Sequence, residues 1–136
     1  MEKKREKRRG FTLIELMVVI LIVGILAAVA IPLMRGRIDA AKWSEGKAIM
    51  GTIATALRAY GAEKGDTGNW PPSQVDLGFV AGDLAGTYFN DGDITWTAAY
   101  DSTVTPSLTY TITATSTKTT LNPATVTLNH LGVWTP

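Results

Sequence analysis

The residue with the clearest chemical signal is Glu15, an acid at the start of a long apolar stretch. From Leu16 to Met34 the chain contains no charged residue. A carboxylate beside hydrocarbon is costly unless it finds a partner, so an acid at such a position is a candidate functional residue. Glu15 therefore predicts a pairing role, and the alternative is a carboxylate that only reaches to the membrane surface.

A second group of candidates consists of aspartates in the C-terminal half, namely Asp83, Asp91, Asp93 and Asp101, with Asn90 among them. Carboxylate and amide oxygens are the ligands that Ca²⁺ prefers. The run from Asn90 to Asp93 does not match an EF-hand loop, which needs further ligands and a terminal glutamate. These four residues are weak calcium candidates. We favour solvated turn aspartates and predict no cofactor.

Other chemistry is poorly represented, and we predict that the protein is not an enzyme. His130 is the single histidine and alternates with apolar strand positions. The absence of cysteine excludes thiol catalysis and thiolate metal sites, and no nucleophile elbow or phosphate loop is present. From Asp66 onward six aspartates accompany only Lys118, which argues against binding to nucleic acid phosphates.

The apolar stretch is long enough to cross a membrane as a helix. A hydrocarbon core of ~30 Å needs about 20 apolar residues. The segment Met1 to Arg9 carries six basic residues against two acidic ones. By the positive-inside bias this end stays in the cytoplasm. We predict a single-pass protein of the inner membrane.

The residues Arg9-Gly10-Phe11-Thr12-Leu13-Ile14-Glu15-Leu16 resemble the processing site of type IV pilins and of the related type II secretion pseudopilins. An ordinary secretory signal differs, because its cleavage site follows the apolar region. The resemblance implies that a prepilin peptidase cuts between Gly10 and Phe11 and methylates the new amine of Phe11. The alternative is a plain signal anchor.

The resemblance also implies how the chain assembles. Glu15 would pair with the Phe11 amine of its own chain or of a neighbouring subunit, and pairing between subunits would set the stagger of adjacent helices. Melting of the helix around Pro32 can accompany assembly, whereas a tolerated kink is the alternative interpretation. The implied partners are other subunits, the prepilin peptidase, an inner-membrane platform protein and a cytoplasmic assembly ATPase. The major pseudopilins bind calcium in a C-terminal loop, but their terminal tryptophan-glycine-proline-tyrosine pattern is absent here.

The pattern along the chain predicts an α+β protein in which one long helix packs by its second half on a small antiparallel sheet. Ile49, Ile53, Leu57 and Tyr60 recur at steps of three and four residues and predict the packed stripe. The helix is expected from Phe11 to about Lys64, where glycines follow. The predicted parts are a cleaved leader (1–10), a transmembrane and assembly helix (11–34), its amphipathic continuation (35–64), and a loop with the sheet (65–136).

Three segments alternate apolar residues with threonine, which is typical of half-buried strands. Their apolar positions are Ile94, Trp96 and Ala98, then Leu108, Tyr110, Ile112 and Ala114, then Val126, Leu128 and His130. The turns between them predict an antiparallel meander. We also expect Trp134 to fold back as a hydrophobic clasp.

The combined hypothesis is a structural subunit that polymerises through its N-terminal helix into a type IV pilus-like or pseudopilus filament. Such a filament would serve adhesion, motility, uptake or protein secretion, at the cell surface or in the periplasm. The missing cysteines and small domain favour a pseudopilin, whereas the absent terminal pattern and threonine-rich strands favour a pilin. The alternative class is a monomeric, membrane-anchored binding or adhesive domain.

Overall fold

A computed structural model describes residues 10–136 and has the predicted α+β architecture. The predicted leader therefore lies outside the described residues except for Gly10. One long helix, α1, precedes a four-stranded antiparallel sheet, with short 3₁₀ turns at Gly65–Thr67 and Asp91–Asp93. The elements are α1 Leu13–Lys64, β1 Ile94–Tyr100, β2 Leu108–Thr115, β3 Thr125–Asn129 and β4 Trp134–Thr135.

The chain divides into two units, one ending at Arg37 and the other running Ile38–Pro136. The described part of the first unit is the N-terminal half of α1 with the residues that precede it from Gly10 onward. Its side chains are almost all exposed. The second unit contains the rest of α1, the connecting loops and the sheet.

The sheet is a meander in the order β1-β2-β3-β4. The three predicted strands and their antiparallel pairing are confirmed, with Ile112 opposite Trp96 on one side and opposite Leu128 on the other. Because successive side chains point to opposite faces, the threonines share one face. The other face, with Ile94, Ile112 and Val126, is buried.

The core of the second unit lies between the C-terminal half of α1 and this buried face. The helix contributes Trp43, Met50, Ile53, Ala54 and Leu57. The predicted stripe is correct for Ile53 and Leu57, but Ile49 is only partly buried and Tyr60 is of intermediate exposure. Gly46 and Gly61, which have no apolar side chain to reveal them, are buried instead.

The loop between α1 and β1 is held by aromatic side chains at the end of the helix. The ring of Trp70 packs edge-on against Tyr60 and stacks on Tyr100, with centroid distances of 5.2 Å and 5.7 Å. The indole of Trp96 donates a hydrogen bond to the carbonyl oxygen of Pro72. The side chains of Trp70 and Trp96 therefore attach the loop to the end of the helix and to β1.

Trp134 folds back, but it forms an edge strand that the alternation pattern does not predict. It lies opposite Leu128 in the sheet and its side chain remains 40 % exposed. The Lys47 ammonium lies 5.5 Å from the centroid of its ring. Trp134 is thus a half-exposed edge residue rather than a buried clasp.

Candidate functional site

The candidate processing site lies in the short segment just before α1, which has no regular secondary structure. Gly10 and Phe11 precede the helix, and the Phe11 side chain is 83 % exposed. Because neither residue belongs to the helix, the peptide bond between them lies outside regular secondary structure. A peptidase can bind such a bond without unwinding a helix. Cleavage here remains a prediction.

Glu15 lies in the first turn of α1 and interacts with Thr12. The Glu15 amide donates to Thr12 Oγ1 at 3.3 Å, while the Thr12 amide lies 3.5 Å from Glu15 Oε2. This reciprocal pattern is a capping box, in which two side chains satisfy free amides at a helix start. A carboxylate there also interacts favourably with the helix dipole. Glu15 is exposed, so it remains accessible to a second partner.

The capping role of Thr12 is absent from the sequence-based predictions, although its signal is present. A threonine followed three residues later by glutamate, ahead of an apolar run, is the usual signature of a capping box. The consequence is that Glu15 has two separable properties. Its oxygen caps the helix, and its charge is available for an amine.

The surface that follows Glu15 is apolar on every side of the helix. Between Leu13 and Met34 the large apolar side chains are 48 % to 77 % exposed. Among the described residues, α1 is the single helix long and apolar enough to cross a bilayer, and its apolar window is not buried within the molecule. An apolar helix that the protein itself leaves uncovered requires lipid or other chains around it.

Pro32 lies within α1, and the helix continues through it. Proline lacks an amide hydrogen, so the carbonyl of Ala28 one turn earlier loses its usual donor. The helix therefore has one backbone hydrogen bond fewer at this turn. A role for Pro32 in assembly remains a prediction.

The four candidate calcium ligands make separate local hydrogen bonds. Asp83 accepts from the Val80 amide at 2.9 Å, and Asp101 accepts from the Thr103 amide at 2.9 Å. Asp91 accepts from the amides of Gly82 and Leu84. Within residues 10–136, no group of three or more histidine, aspartate or glutamate side chains has a metal-binding arrangement.

Asp93 is the buried member of this group, with 6 % of its surface exposed. Its carboxylate accepts hydrogen bonds from the Asn90 amide at 2.9 Å and from the Thr117 amide and hydroxyl at 3.0 Å and 2.6 Å. Burial alone would raise the pKa of Asp93, but the bonds from Thr117 and Asn90 hold that pKa below its usual value. Asp93 thus fastens the start of β1 to the β2–β3 loop. The sequence contains no signal that pairs residues 93 and 117.

His130 follows the end of β3, next to the aromatic ring of Tyr110 rather than beside an acid. The two rings meet edge to face with centroids 6.4 Å apart. The His130 amide donates to the carbonyl oxygen of Tyr110 at 3.0 Å, which continues the sheet pairing. Both contacts are structural.

Comparison with known proteins finds one matching family model and several curated relatives. Residues 5–31 match the model of the prokaryotic N-terminal methylation motif. The chain is 37 % identical over 86 residues to the fimbrial protein EcpC of Eikenella corrodens, which covers 63 % of this chain and 54 % of the relative. It is 43 % identical over 74 residues to the type II secretion system core protein G of Pseudomonas aeruginosa, covering 54 % and 50 %. No solved structure was found to match.

The chain thus spans about half the length of these curated relatives. The matched motif contains Gly10, Phe11 and Glu15, the residues that surround the start of α1. The relatives include both a fimbrial protein and a secretion system protein. In its N-terminal methylation segment the chain is therefore similar to type IV pilins and to a type II secretion system core protein.

Proposed function

We propose that this protein is a structural subunit of a type IV pilus-like or pseudopilus filament, and that it polymerises through the N-terminal half of α1 after cleavage before Phe11. One observation carries the proposal. The helix from Leu13 to Met34 exposes apolar side chains on all sides, and its only charge is Glu15 at the first turn. Lipid covers such a helix before assembly, and neighbouring helices cover it afterwards.

The pairing chemistry follows from the position of Glu15. Cleavage would create a cationic amine on Phe11, one residue ahead of the capping Thr12. In surroundings of low dielectric constant an unpaired carboxylate is penalised far more than a paired one. As a helix leaves lipid for a filament core, the amine of a neighbouring chain is the partner that preserves both charges. Glu15 then determines the stagger between neighbours.

The apolar surface supplies cohesion, although it does not drive extraction from the membrane. Burial of apolar surface stabilises by about 25 cal/mol per Å² relative to water, but lipid is already apolar and the gain relative to lipid is small. Assembly therefore requires external energy. We propose a cytoplasmic ATPase, an inner-membrane platform protein and a prepilin peptidase as the partners, and opening of the helix near Pro32 as part of the transition.

The second candidate function is a monomeric, membrane-anchored binding domain. The exposed uncharged face of the sheet, with Thr95, Thr97 and Thr111, is the surface such a domain would offer. This alternative leaves the charge of Glu15 without a purpose beyond capping. In a structural subunit, Glu15 both caps the helix and pairs its charge with an amine.

The test separates the two properties of Glu15 in cells that carry an assembly system. Glu15→Gln keeps a capping side chain but removes the charge, because glutamine also serves in capping boxes. Thr12→Ala removes the hydroxyl of the capping box and keeps the charge. We expect Glu15→Gln to insert in the membrane and to be cleaved at Phe11, as N-terminal sequencing would show, yet to lower the filament yield at least about tenfold, because the amine of the neighbouring chain loses its charged partner.

Thr12→Ala is expected to assemble nearly as well as the unaltered chain, since loss of a cap costs only about 1 kcal/mol. A normal filament yield from Glu15→Gln would contradict the pairing mechanism. A mature protein that still begins at Met1 and acts as a monomer would contradict the proposed function as a whole.

A further inference from the structure

The C-terminal end of the apolar stretch is marked by two arginines. The charge-free segment Leu16–Met34 contains 19 residues, which as a helix spans ~28 Å, close to the ~30 Å of a hydrocarbon core. The first charges after it are Arg35 and Arg37, and both are exposed. A bilayer that covers the segment therefore places both arginines at its outer surface.

Neither arginine has a carboxylate partner among the described residues. The one ion pair within residues 10–136 joins Lys64 to Glu63. Guanidinium groups bind phosphate through parallel N–H donors and are less strongly hydrated than ammonium groups. Two unpaired guanidinium groups at the level of the lipid headgroups match the phosphates of that layer in charge and in geometry.

We propose that Arg35 and Arg37 bind headgroup phosphates of the outer leaflet and thereby set the depth of the helix in the membrane before assembly. This inference builds on the membrane-inserted precursor of the proposed function and adds a lipid contact to it. The aliphatic stems of arginine lie along apolar surface while the charged ends reach the headgroups. The pair therefore acts as a stop that opposes further entry of the helix.

The residues after Arg37 determine how far the helix can move when both arginines are replaced by neutral side chains. Ile38 is apolar and 47 % exposed, and the next charge is Asp39. If neutral side chains replace the arginines, nothing charged remains between Leu16 and Ile38. The helix is then able to move toward the cytoplasmic side by up to about one turn, ~5.4 Å, and Ile38 enters hydrocarbon.

The absence of cysteine makes this displacement measurable. The full-length chain carrying Ile38→Cys is placed in nanodiscs of phosphatidylethanolamine and phosphatidylglycerol, which leave both membrane faces open to reagent. The rate of alkylation by a charged maleimide reports whether position 38 is in water. A thiol within hydrocarbon does not ionise, so we expect the Arg35→Gln/Arg37→Gln pair to lower this rate at least about tenfold.

Three controls make the result specific. Arg35→Lys/Arg37→Lys keeps the charges and is expected to keep most of the rate. Lys47→Gln removes a cation ten residues further along and is expected to change nothing. In maltoside micelles, which contain no phosphate, the rates of the original and the double glutamine variant are expected to be equal, and a difference that persists there would overturn the proposal.

An unchanged rate in the double glutamine variant would also overturn it. If filament yield fell while the rate stayed unchanged, the arginines would contact another copy of the chain rather than lipid. A chain that forms no filaments but shows the shift in nanodiscs would contradict the proposed function and leave this inference standing. The two proposals therefore fail independently.

Discussion

At the scale of single residues, Asp93 joins distant parts of the second unit more firmly than any other acid described. Three donors converge on its carboxylate, two of them from Thr117. Hydrogen bonds to an ionised group contribute about 1.5–3 kcal/mol each, and an unsatisfied buried donor is correspondingly costly. Asp93 thus holds the β2–β3 loop against the start of β1.

We expect Asp93→Asn to lower the free energy of unfolding by about 1–3 kcal/mol at neutral pH. Because folding depresses the pKa of Asp93, its stabilisation is fully present above the unfolded value of about 3.9 and is lost as the pH falls through the lower folded value. The difference between Asp93→Asn and the unaltered chain should therefore shrink below that value. Urea unfolding of the full chain in a nonionic detergent, monitored by tryptophan fluorescence at several pH values, measures the loss of stability and its dependence on pH.

The control is Glu63→Gln, which alters an exposed acid and should change stability by no more than about 0.5 kcal/mol at any pH. A deficit for Asp93→Asn that persisted unchanged in acid would show that its charge is not the stabilising feature.

The other three calcium candidates, Asp83, Asp91 and Asp101, can be tested directly for calcium binding. Each already accepts a hydrogen bond from a backbone amide, for example Asp83 from Val80 and Asp101 from Thr103. We therefore expect millimolar Ca²⁺ to leave the melting temperature unchanged, since a ligand stabilises only by binding the folded state. A rise that a chelator reverses and that Asp91→Asn abolishes would contradict this expectation and establish a calcium site.

At the scale of elements, a glycine in α1 leaves room for the ring of Phe89, which lies in the loop between α1 and β1. A Cβ atom at Gly46 would lie 2.6 Å from Cζ of Phe89, and the Phe89 ring also packs on Trp43 with centroids 5.2 Å apart. Gly51, further along the helix, has nothing within 4 Å of its Cβ position. The two glycines therefore carry opposite predictions.

Gly51→Ala should stabilise the chain by up to about 1 kcal/mol, because alanine is the better helix former. Gly46→Ala gains the same propensity but forces Phe89 to move, and overpacking of this kind costs about 1–3 kcal/mol. We expect Gly46→Ala to be the less stable variant in urea unfolding. If both variants were equally stabilised, the close packing of Phe89 on the helix would be wrong.

At the scale of the whole molecule, the two units differ in what they need to bury their apolar side chains. Within residues 10–136 every buried apolar residue belongs to the second unit, the first along the chain being Trp43. The described part of the first unit buries none of its large apolar side chains. The second unit therefore contains what it needs to fold, whereas the first depends on lipid or on other chains.

We accordingly expect a fragment of residues 38–136 to fold as a soluble monomer, and to lack any tendency to form filaments. Size-exclusion chromatography and thermal unfolding by circular dichroism measure the two properties. The full chain, kept in detergent, provides the reference melting temperature, which the fragment should approach. An unfolded fragment would show that the N-terminal half of α1 stabilises the sheet.

Local patterns in the amino-acid sequence by themselves determined much of this protein. The charge-free run, the acid ahead of it and the alternating threonines predicted one apolar helix with a single charge at its start and three antiparallel strands, because each depends on neighbours in sequence. Only the tertiary structure showed that Gly46 is buried while Ile49 is only partly so, that Asp93 is held by Thr117, and that Trp134 pairs as a fourth strand. Those features depend on contacts between residues far apart in the chain, where the shape of the facing surface, and not the hydrophobicity of a residue, decides what is buried.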